Sequence, residues 1–289
     1  MKDRRRLLAI LLMLLLPVAL VVTAPAHDSE TKPKAEQAQP LPFEPEEQLV
    51  YEGEFTRSLL RGVDVADLRF SASRVPLVEA NKQNQTVLRF TAEAVSKGIV
   101  SKLFGLTFRQ RIESVVEPTS FNVLQTTKLD EQGKRKRTSE AVFDRSAGKV
   151  VFTELDPNDP NRPPRVITNT VSGTVQDIAS AFYYLRMQKL EPGKTFDLFI
   201  SDTGQTYRTP VHVIKREKLN TVLGKINTVR VEPELFGVGR LIRGKGEITI
   251  WFTDDARHIP VRAKINNNLG RLDIKLKSMT NKTTELAQN

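Results

Sequence analysis

Cysteine is missing from all 289 residues of the chain. Its absence excludes disulfide bonds, iron–sulfur clusters, cysteine-ligated zinc sites, thiol nucleophiles and a lipid-modified N-terminal cysteine. Two nucleotide-binding motifs, G-x-x-x-x-G-K-[ST] and G-x-G-x-x-G, are also missing. We therefore expect a fold that is held together by its apolar core alone, and we expect no cofactor.

Histidine is also rare. The three imidazoles are those of His27, His212 and His258, and none of them accompanies a G-x-S-x-G nucleophile motif. A glycosidase carboxylate pair cannot be recognised from spacing alone, so the sequence leaves that chemistry open. We assign no catalytic residue and expect a non-catalytic protein.

The N-terminal segment has the pattern of an export signal. Basic residues precede an uncharged run, residues 7–22, and the small-residue site Thr23–Ala26 follows. The run is shorter than the roughly 20 residues of a spanning helix, and Pro17 interrupts it. We expect a signal peptide over residues 1–26, cleaved after Ala26, and a periplasmic protein. The alternative is an uncleaved anchor in the inner membrane that leaves the domain in the periplasm.

Composition divides the rest of the chain into three parts. Residues 27–47 are rich in Pro, Glu, Gln and Ala, which is typical of a disordered tether. Residues 48–279 carry the patterned apolar positions of a single β-rich domain, and residues 280–289 form a polar C-terminal tail.

The charge balance is basic. Lys and Arg number 44 against 34 Asp and Glu, a net charge of +10. In an exported protein this favours anionic envelope partners, such as lipid head groups, lipopolysaccharide or acidic polysaccharide, and not nucleic acid. We expect membrane association only through an uncleaved signal segment. The alternative is that the charge serves solubility.

The domain shows alternation of apolar and polar residues, as in the segments 49–55 and 88–94. Such runs recur at near-regular spacing with turn residues between them. We expect an all-β, mainly antiparallel fold: a large curved sheet or incomplete β-barrel meander of about a dozen strands. The alternation shifts by one position between Val65 and Leu68, which predicts a β-bulge near Ala66-Asp67.

One helix, at about residues 174–188, is expected to pack on this sheet. Thr174 can cap it, because Asp177 follows at capping-box spacing. Its apolar face repeats at helical spacing: Ile178, Ala181, Phe182 and Leu185. A second apolar cluster, residues 99–106, is either a short core helix or a membrane-dipping loop. The four prolines of residues 156–164 predict a surface loop.

Two segments of the domain have a specific combination of residues. The helix ends in Tyr183-Tyr184-Leu185-Arg186, and Trp251-Phe252-Thr253-Asp254-Asp255 follows downstream. With these segments the chain resembles the bacterial exported family named domain of unknown function 3108, over roughly Gln48 to Ser278. The resemblance implies a β-rich, signal-bearing envelope domain and supplies no activity.

The helix end offers candidate ligand contacts. Tyr183, Tyr184 and Arg186, together with Trp251, combine aromatic rings with a cation, which can bind a sugar ring or a phosphate. The alternative is that the tyrosines pack on the sheet and Arg186 faces the negative end of the helix dipole.

A weaker candidate is a metal site at Asp254, Asp255 and His258, because two carboxylates and an imidazole within five residues can reach one cation. The alternative is a hairpin connection in which the aspartates bond to the turn backbone.

Three functions follow from this reading. The first is a non-catalytic binding or carrier protein for an amphiphilic envelope molecule, such as a lipid or a lipoprotein acyl chain. The second is a polysaccharide-binding or polysaccharide-processing domain, and the third is an envelope assembly scaffold without a small ligand. A wide apolar cavity would favour the binding or carrier protein, and an exposed aromatic cleft would favour the polysaccharide domain. A fully packed interior would favour the scaffold.

Overall fold

The computed structural model describes residues 41–43, 46–58, 60–76, 86–104 and 107–280. The predicted signal peptide, residues 27–40 of the predicted tether and residues 281–289 of the tail lie outside these described residues. Neither helix in the described part of the chain is long and apolar enough to cross a membrane.

Fourteen strands and two short helices make up the described residues. The strands are β1 (Gln48–Arg57), β2 (Leu60–Pro76), β3 (Thr86–Ser96), β4 (Phe108–Val116), β5 (Val123–Gln132), β6 (Arg135–Asp144), β7 (Lys149–Leu155), β8 (Arg165–Thr170), β9 (Thr195–Asp202), β10 (Gln205–Thr221), β11 (Gly224–Pro233), β12 (Gly246–Thr253), β13 (Pro260–Asn267) and β14 (Gly270–Thr280). The helices are α1 (Gly98–Phe104) and α2 (Ile178–Arg186).

The strands form one antiparallel sheet in the order β8-β7-β6-β5-β4-β3-β2-β1-β14-β13-β12-β11-β10-β9. β1 pairs with β14, so the first and last strands meet in the middle of the sheet and β8 and β9 are its edges. The β9–β10 turn reaches back to the opposite edge, where Asn169 Nδ2 donates to the Gly204 carbonyl at 2.6 Å. The predicted all-β, incompletely closed sheet is therefore confirmed.

Alternation explains why one face of the sheet becomes the core. In β4 the buried positions are Phe108, Gln110, Ile112, Ser114 and Val116, every second residue. The predicted bulge is confirmed one residue earlier than expected. Gly53 pairs with Ala66 and Glu54 with Asp64, so Val65 is the extra residue, and Val65 and Ala66 are both buried.

The prediction that Thr174 caps α2 is wrong. Asp177 is the N-cap: its carboxylate accepts from the Ser180 backbone N–H at 2.8 Å, and Ser180 Oγ accepts from the Asp177 N–H at 2.9 Å. This reciprocal pair is a capping box that begins three residues after Thr174, which is exposed. The buried surroundings of Asp177 decide the helix start.

The end of the predicted tether packs on the domain. Phe43 is buried against the rings of Phe90 and Tyr183, and Glu47 is buried beside Arg186. The packed part of the chain therefore includes residues that the sequence pattern places in the tether, because their apolar and acidic side chains find partners far along the chain.

Two smaller expectations are met by the described residues. The proline-rich residues 157–164 are exposed, as a surface loop requires. The first part of the apolar cluster at residues 99–106 belongs to the short helix α1. In this helix Val100 is buried and Ile99 is 43% exposed.

Candidate ligand cavity

A cavity of about 190 Å³ lies between α2 and the concave face of the sheet. Its walls come from β1–β3, β9, β12–β14, the helix and the β11–β12 connection. Cavities larger than a water molecule are few in a close-packed interior, so this space needs an explanation.

The helix wall is the apolar face that the sequence predicts. Ile178, Ala181, Phe182 and Leu185 all line the cavity. Phe182 also stacks on Phe70 of β2, with ring centroids 4.0 Å apart and planes 10° apart. The helix is thus fixed over the sheet by an aromatic contact at the side of the cavity.

Small side chains in the sheet wall leave the space open. Ala66, Ala92, Ala94 and Ala263 line the cavity at positions that face the interior. Ala92 and Ala94 alternate along β3 and Ala263 lies opposite Ile250 of β12. A larger residue at any of these positions would project into the cavity.

The two charged residues of the lining contribute little charge to it. Glu93 lies between the inward-facing Ala92 and Ala94, and its carboxylate accepts from Arg109 Nε at 2.9 Å. Arg262 precedes Ala263 and donates to Asp273 at 2.8 Å. Both side chains are occupied by partners on the neighbouring strand.

Tyr51 contributes an uncharged polar group to the cavity wall. Its hydroxyl donates to the Pro260 carbonyl at 2.8 Å. Burial raises the pKa of the Tyr51 phenol far above its usual range, so the group stays neutral. The lining can therefore bind hydrocarbon by removing it from water, at about 25 cal/mol per Å² of apolar surface.

The β11–β12 connection covers one side of the cavity. Leu235, Leu241 and Ile242 face it, and the Ile242 N–H donates to the Leu235 carbonyl at 2.8 Å. Val238, between these wall residues in the sequence, is fully exposed. The connection is a small folded turn whose apolar residues divide between the cavity and the solvent.

None of the four predicted ligand contacts lines the cavity. Tyr183 is fully buried and stacks on Phe90 with ring centroids 4.2 Å apart. Its hydroxyl has no hydrogen-bond partner among the described residues, and burial raises the pKa of the phenol well above its usual value. Tyr184 is half-buried, 5.8 Å from the ring of Phe121.

Arg186 is fully buried and does not bond to the last carbonyls of α2. Its guanidinium pairs with the Glu47 carboxylate and donates to the carbonyls of Pro42 and Arg257, each at 3.0 Å. The cation also lies 5.6 Å from the ring centroids of Phe43 and Tyr183. This site joins the N-terminal segment to the helix, because a buried charge needs such partners.

Trp251 lies on β12 between Ile250 and Phe252, which line the cavity, so its side chain is on the opposite face of the sheet. The indole Nε1 donates to Glu217 at 2.8 Å, and three cations surround the ring. Lys264 Nζ lies 5.4 Å from the ring centroid, and the guanidinium groups of Arg230 and Arg262 lie 5.9 Å from it. Trp251 is not brought together with the tyrosines of α2.

The predicted metal ligands have other partners. Asp254 accepts from Arg216 Nε at 3.0 Å, and Asp255 accepts from Thr253 Oγ1 at 2.7 Å. His258 Nδ1 lies 2.9 Å from the Arg186 carbonyl. Among the residues that the structure describes, no three metal-binding side chains converge.

Sequence reasoning found the helix wall and missed the cavity itself. The alanines that line it are ordinary inward positions of predicted strands. The available signal was the run of small residues on the inner face of β3, Ala92 and Ala94, where neighbouring strands carry Phe, Leu or Ile.

The fold is shared with a solved structure of low sequence identity. A β-barrel-like protein of the domain of unknown function DUF1849 from Brucella abortus superposes with a TM-score of 0.54 and 12% identity, over 81% of this chain and 97% of that one. A protein described as exported, with a YmcC-like fold, from Bacteroides fragilis has a TM-score of 0.30 and 10% identity, over 83% of this chain and 98% of that one.

No curated protein matches the chain. The family described as "Protein of unknown function (DUF3108)" matches residues 54–277, which include every lining residue of the cavity except Tyr51. The chain therefore belongs to the DUF3108 family.

Proposed function

We propose that this protein is a non-catalytic binding or carrier protein for an amphiphilic envelope molecule, such as a lipid or a lipoprotein acyl chain. The observation that supports it is the cavity under α2, whose lining is apolar apart from the paired hydroxyl of Tyr51 and the paired charges of Glu93 and Arg262. A hydrocarbon chain is the ligand chemistry that such a lining stabilises.

The cavity volume sets how much of the ligand it encloses. The cavity volume of 190 Å³ is larger than that of a cavity that admits benzene, about 150 Å³. It is smaller than the volume of pockets that enclose a whole drug-sized ligand, about 300–1,000 Å³. The cavity therefore takes a segment of hydrocarbon, and the polar part of the ligand lies outside it.

We also propose that the protein works in the periplasm. Export through the signal peptide, cleavage after Ala26 and residence in the periplasm would put the cavity beside its ligand source. Residues 1–26 carry a net +3 of the chain's +10, so the mature protein keeps a net charge of +7, which favours encounter with anionic lipid or lipopolysaccharide surfaces. A polysaccharide ligand has less support, because the rings of Tyr183 and Trp251 are buried and offer no exposed stacking surface.

The test is native mass spectrometry of the mature protein, purified gently from its own periplasm, followed by denaturing extraction. We expect a stoichiometric mass that extracts as a lipid or acylated species. We expect the variant Ala263→Leu, which fills the cavity, to be folded and to lose that mass. A folded wild-type protein without any bound mass would contradict the proposal and favour the scaffold function. A bound glycan would contradict it in favour of the polysaccharide function.

A further inference from the structure

The concave face of the sheet has a second, charged half. Strand pairing sets Lys128 opposite Ser139, Ser139 opposite Glu154, and Glu154 opposite Arg165, across β5 to β8. Ser139 lies two residues from the buried Ala141 on β6, and Glu154 lies two residues from the buried Phe152 on β7, so this row faces the interior. On the half of the sheet that lines the cavity, the corresponding inward positions are apolar.

The charged row forms the floor of a chamber of about 130 Å³. Asp202 and Thr203 of the β9–β10 turn form its roof. A Cβ atom at Gly204 would lie 2.9 Å from Phe152 Cβ, so the turn sits directly on β7. Most of the roof is shielded from solvent, since Thr203 is 6% exposed.

Some charges of this chamber are paired within it, and others are available to a ligand. Asp130 pairs with Arg135, and Arg137 pairs with Asp156. Glu154 and Arg165 make no side-chain hydrogen bond or ion pair with any described residue.

Lys128 completes the group of charges on the chamber floor. Its ammonium forms an ion pair with Asp202, with Nζ 3.9 Å from Oδ1. The chamber thus presents cations and a carboxylate of β5 to β8 to the same small space.

The chamber adjoins the apolar cavity at the start of α2. A narrow space of about 30 Å³ lies between them, and it shares Lys128 and Asp202 with the chamber. It shares Ile178, the first residue of the helix, with the cavity. An amphiphile that occupies both compartments would cross this space.

We propose that the charged chamber binds the polar head of the amphiphile whose hydrocarbon segment occupies the cavity, and that this head is zwitterionic. Its phosphate lies towards Lys128 and Arg165, and its ammonium lies towards Glu154. This inference rests on the proposed function and adds the class of head group.

Charge and size both favour a small zwitterion. A purely anionic head would face Glu154, and a purely cationic head would face Lys128 and Arg165, so each would leave a like charge close by. The volume of 130 Å³ is comparable to the about 150 Å³ that admits benzene, which accommodates phosphoethanolamine and not an oligosaccharide.

The experiment compares lysolipids that share one acyl chain, below their micelle concentrations. The probes are lysophosphatidylethanolamine, lysophosphatidylglycerol and the free fatty acid, titrated into the mature protein by calorimetry. We expect the ethanolamine lipid to bind about tenfold more tightly than the glycerol lipid, since charge-assisted hydrogen bonds carry the difference. We expect Glu154→Gln to abolish this preference by weakening the binding of the ethanolamine lipid, while the glycerol lipid, which has no ammonium, binds no more weakly than before.

The matched control is Glu140→Gln, which removes an exposed carboxylate from the outer face of the neighbouring strand β6. We expect it to keep the wild-type preference. Equal affinity of the wild-type protein for the two lysolipids, or a preference that survives Glu154→Gln, would overturn the head-group inference and leave the proposed function intact. Failure to bind any of the three probes would instead overturn the proposed function.

Discussion

At the scale of single residues, buried polar groups are either paired or held neutral. Arg186 and Glu47 carry charges in the core and form an ion pair there. The Tyr51 hydroxyl donates to a carbonyl, whereas the Tyr183 hydroxyl has no partner among the described residues. Charges thus receive partners, while an unpaired neutral hydroxyl is tolerated because its burial costs less free energy.

The buried tyrosines predict alkaline destabilisation. All four tyrosines of the chain have a raised pKa, caused first by burial. In the unfolded chain their pKa is about 10, so above pH 10 the unfolded state loses protons that the folded state keeps. The free energy of unfolding should therefore be unaffected by these groups below pH 10. It should fall above pH 10, by about 1.4 kcal/mol per pH unit for each fully buried tyrosine.

Urea unfolding between pH 8 and pH 11 measures this slope, because the range brackets the pKa of a free tyrosine side chain, about 10. The variant Tyr183→Phe is the control, because it removes one titrating group and a hydroxyl without a described partner. Its slope above pH 10 should be shallower by about 1.4 kcal/mol per pH unit. An identical slope in both proteins would show that Tyr183 ionises normally and is not buried as described.

The partners of single residues can be predicted from the sequence only in part. The pattern at Tyr183, Tyr184 and Arg186 correctly marks a place where aromatic rings and a cation meet. It cannot show that Glu47, 139 residues away, supplies the counter-charge. Partners at that separation are set by the sheet and are absent from any local window.

At the scale of elements, α2 links the two interior compartments. Its N-cap Asp177 accepts hydrogen bonds from the hydroxyls of Ser114 on β4 and Thr126 on β5. Its apolar face then lines the cavity up to Leu185. The helix position is therefore fixed at one end by polar contacts to the sheet and along its length by apolar packing.

Removing the N-cap should cost more than an ordinary helix cap. Asp177→Ala loses the cap itself, about 0.5–2 kcal/mol. It also leaves two buried or half-buried hydroxyls without their acceptor, so we expect a total loss of about 2–4 kcal/mol in the free energy of unfolding. Denaturant unfolding measures it. Thr174→Ala, the cap that spacing predicts, should change stability by less than about 0.5 kcal/mol, and a larger loss there than at Asp177 would contradict the assigned cap.

Elements were predictable from sequence where their signal is local. Alternation in β1 and β3, the bulge at Val65 and the apolar face of α2 are all visible within a dozen residues. The start of α2 was not, because Thr174 and Asp177 both fit a capping box and the choice depends on Ser114 and Thr126, which lie on other elements.

At the scale of the whole molecule, the sheet brings distant strands together. β1 pairs with β14, and the opposite edges β8 and β9 approach through the β9–β10 turn. This arrangement places the apolar half of the inner face beside the charged half. It leaves the cavity at the first and the chamber at the second. The presence and volume of the cavity could not be predicted from sequence, because the cavity exists only after strand order brings Ala92, Ala94 and Ala263 to one surface.

The most direct test of the account is equilibrium titration with a fluorescent fatty acid. The wild-type protein, the cavity-filling variant Ala94→Leu and the control Val95→Leu, whose side chain is on the outer face of the same strand, are compared. We predict saturable binding to one site in the wild type and the control, and at least about tenfold weaker binding in folded Ala94→Leu. Equal binding by all three proteins, or none by the wild type, would contradict a hydrocarbon site between α2 and the sheet.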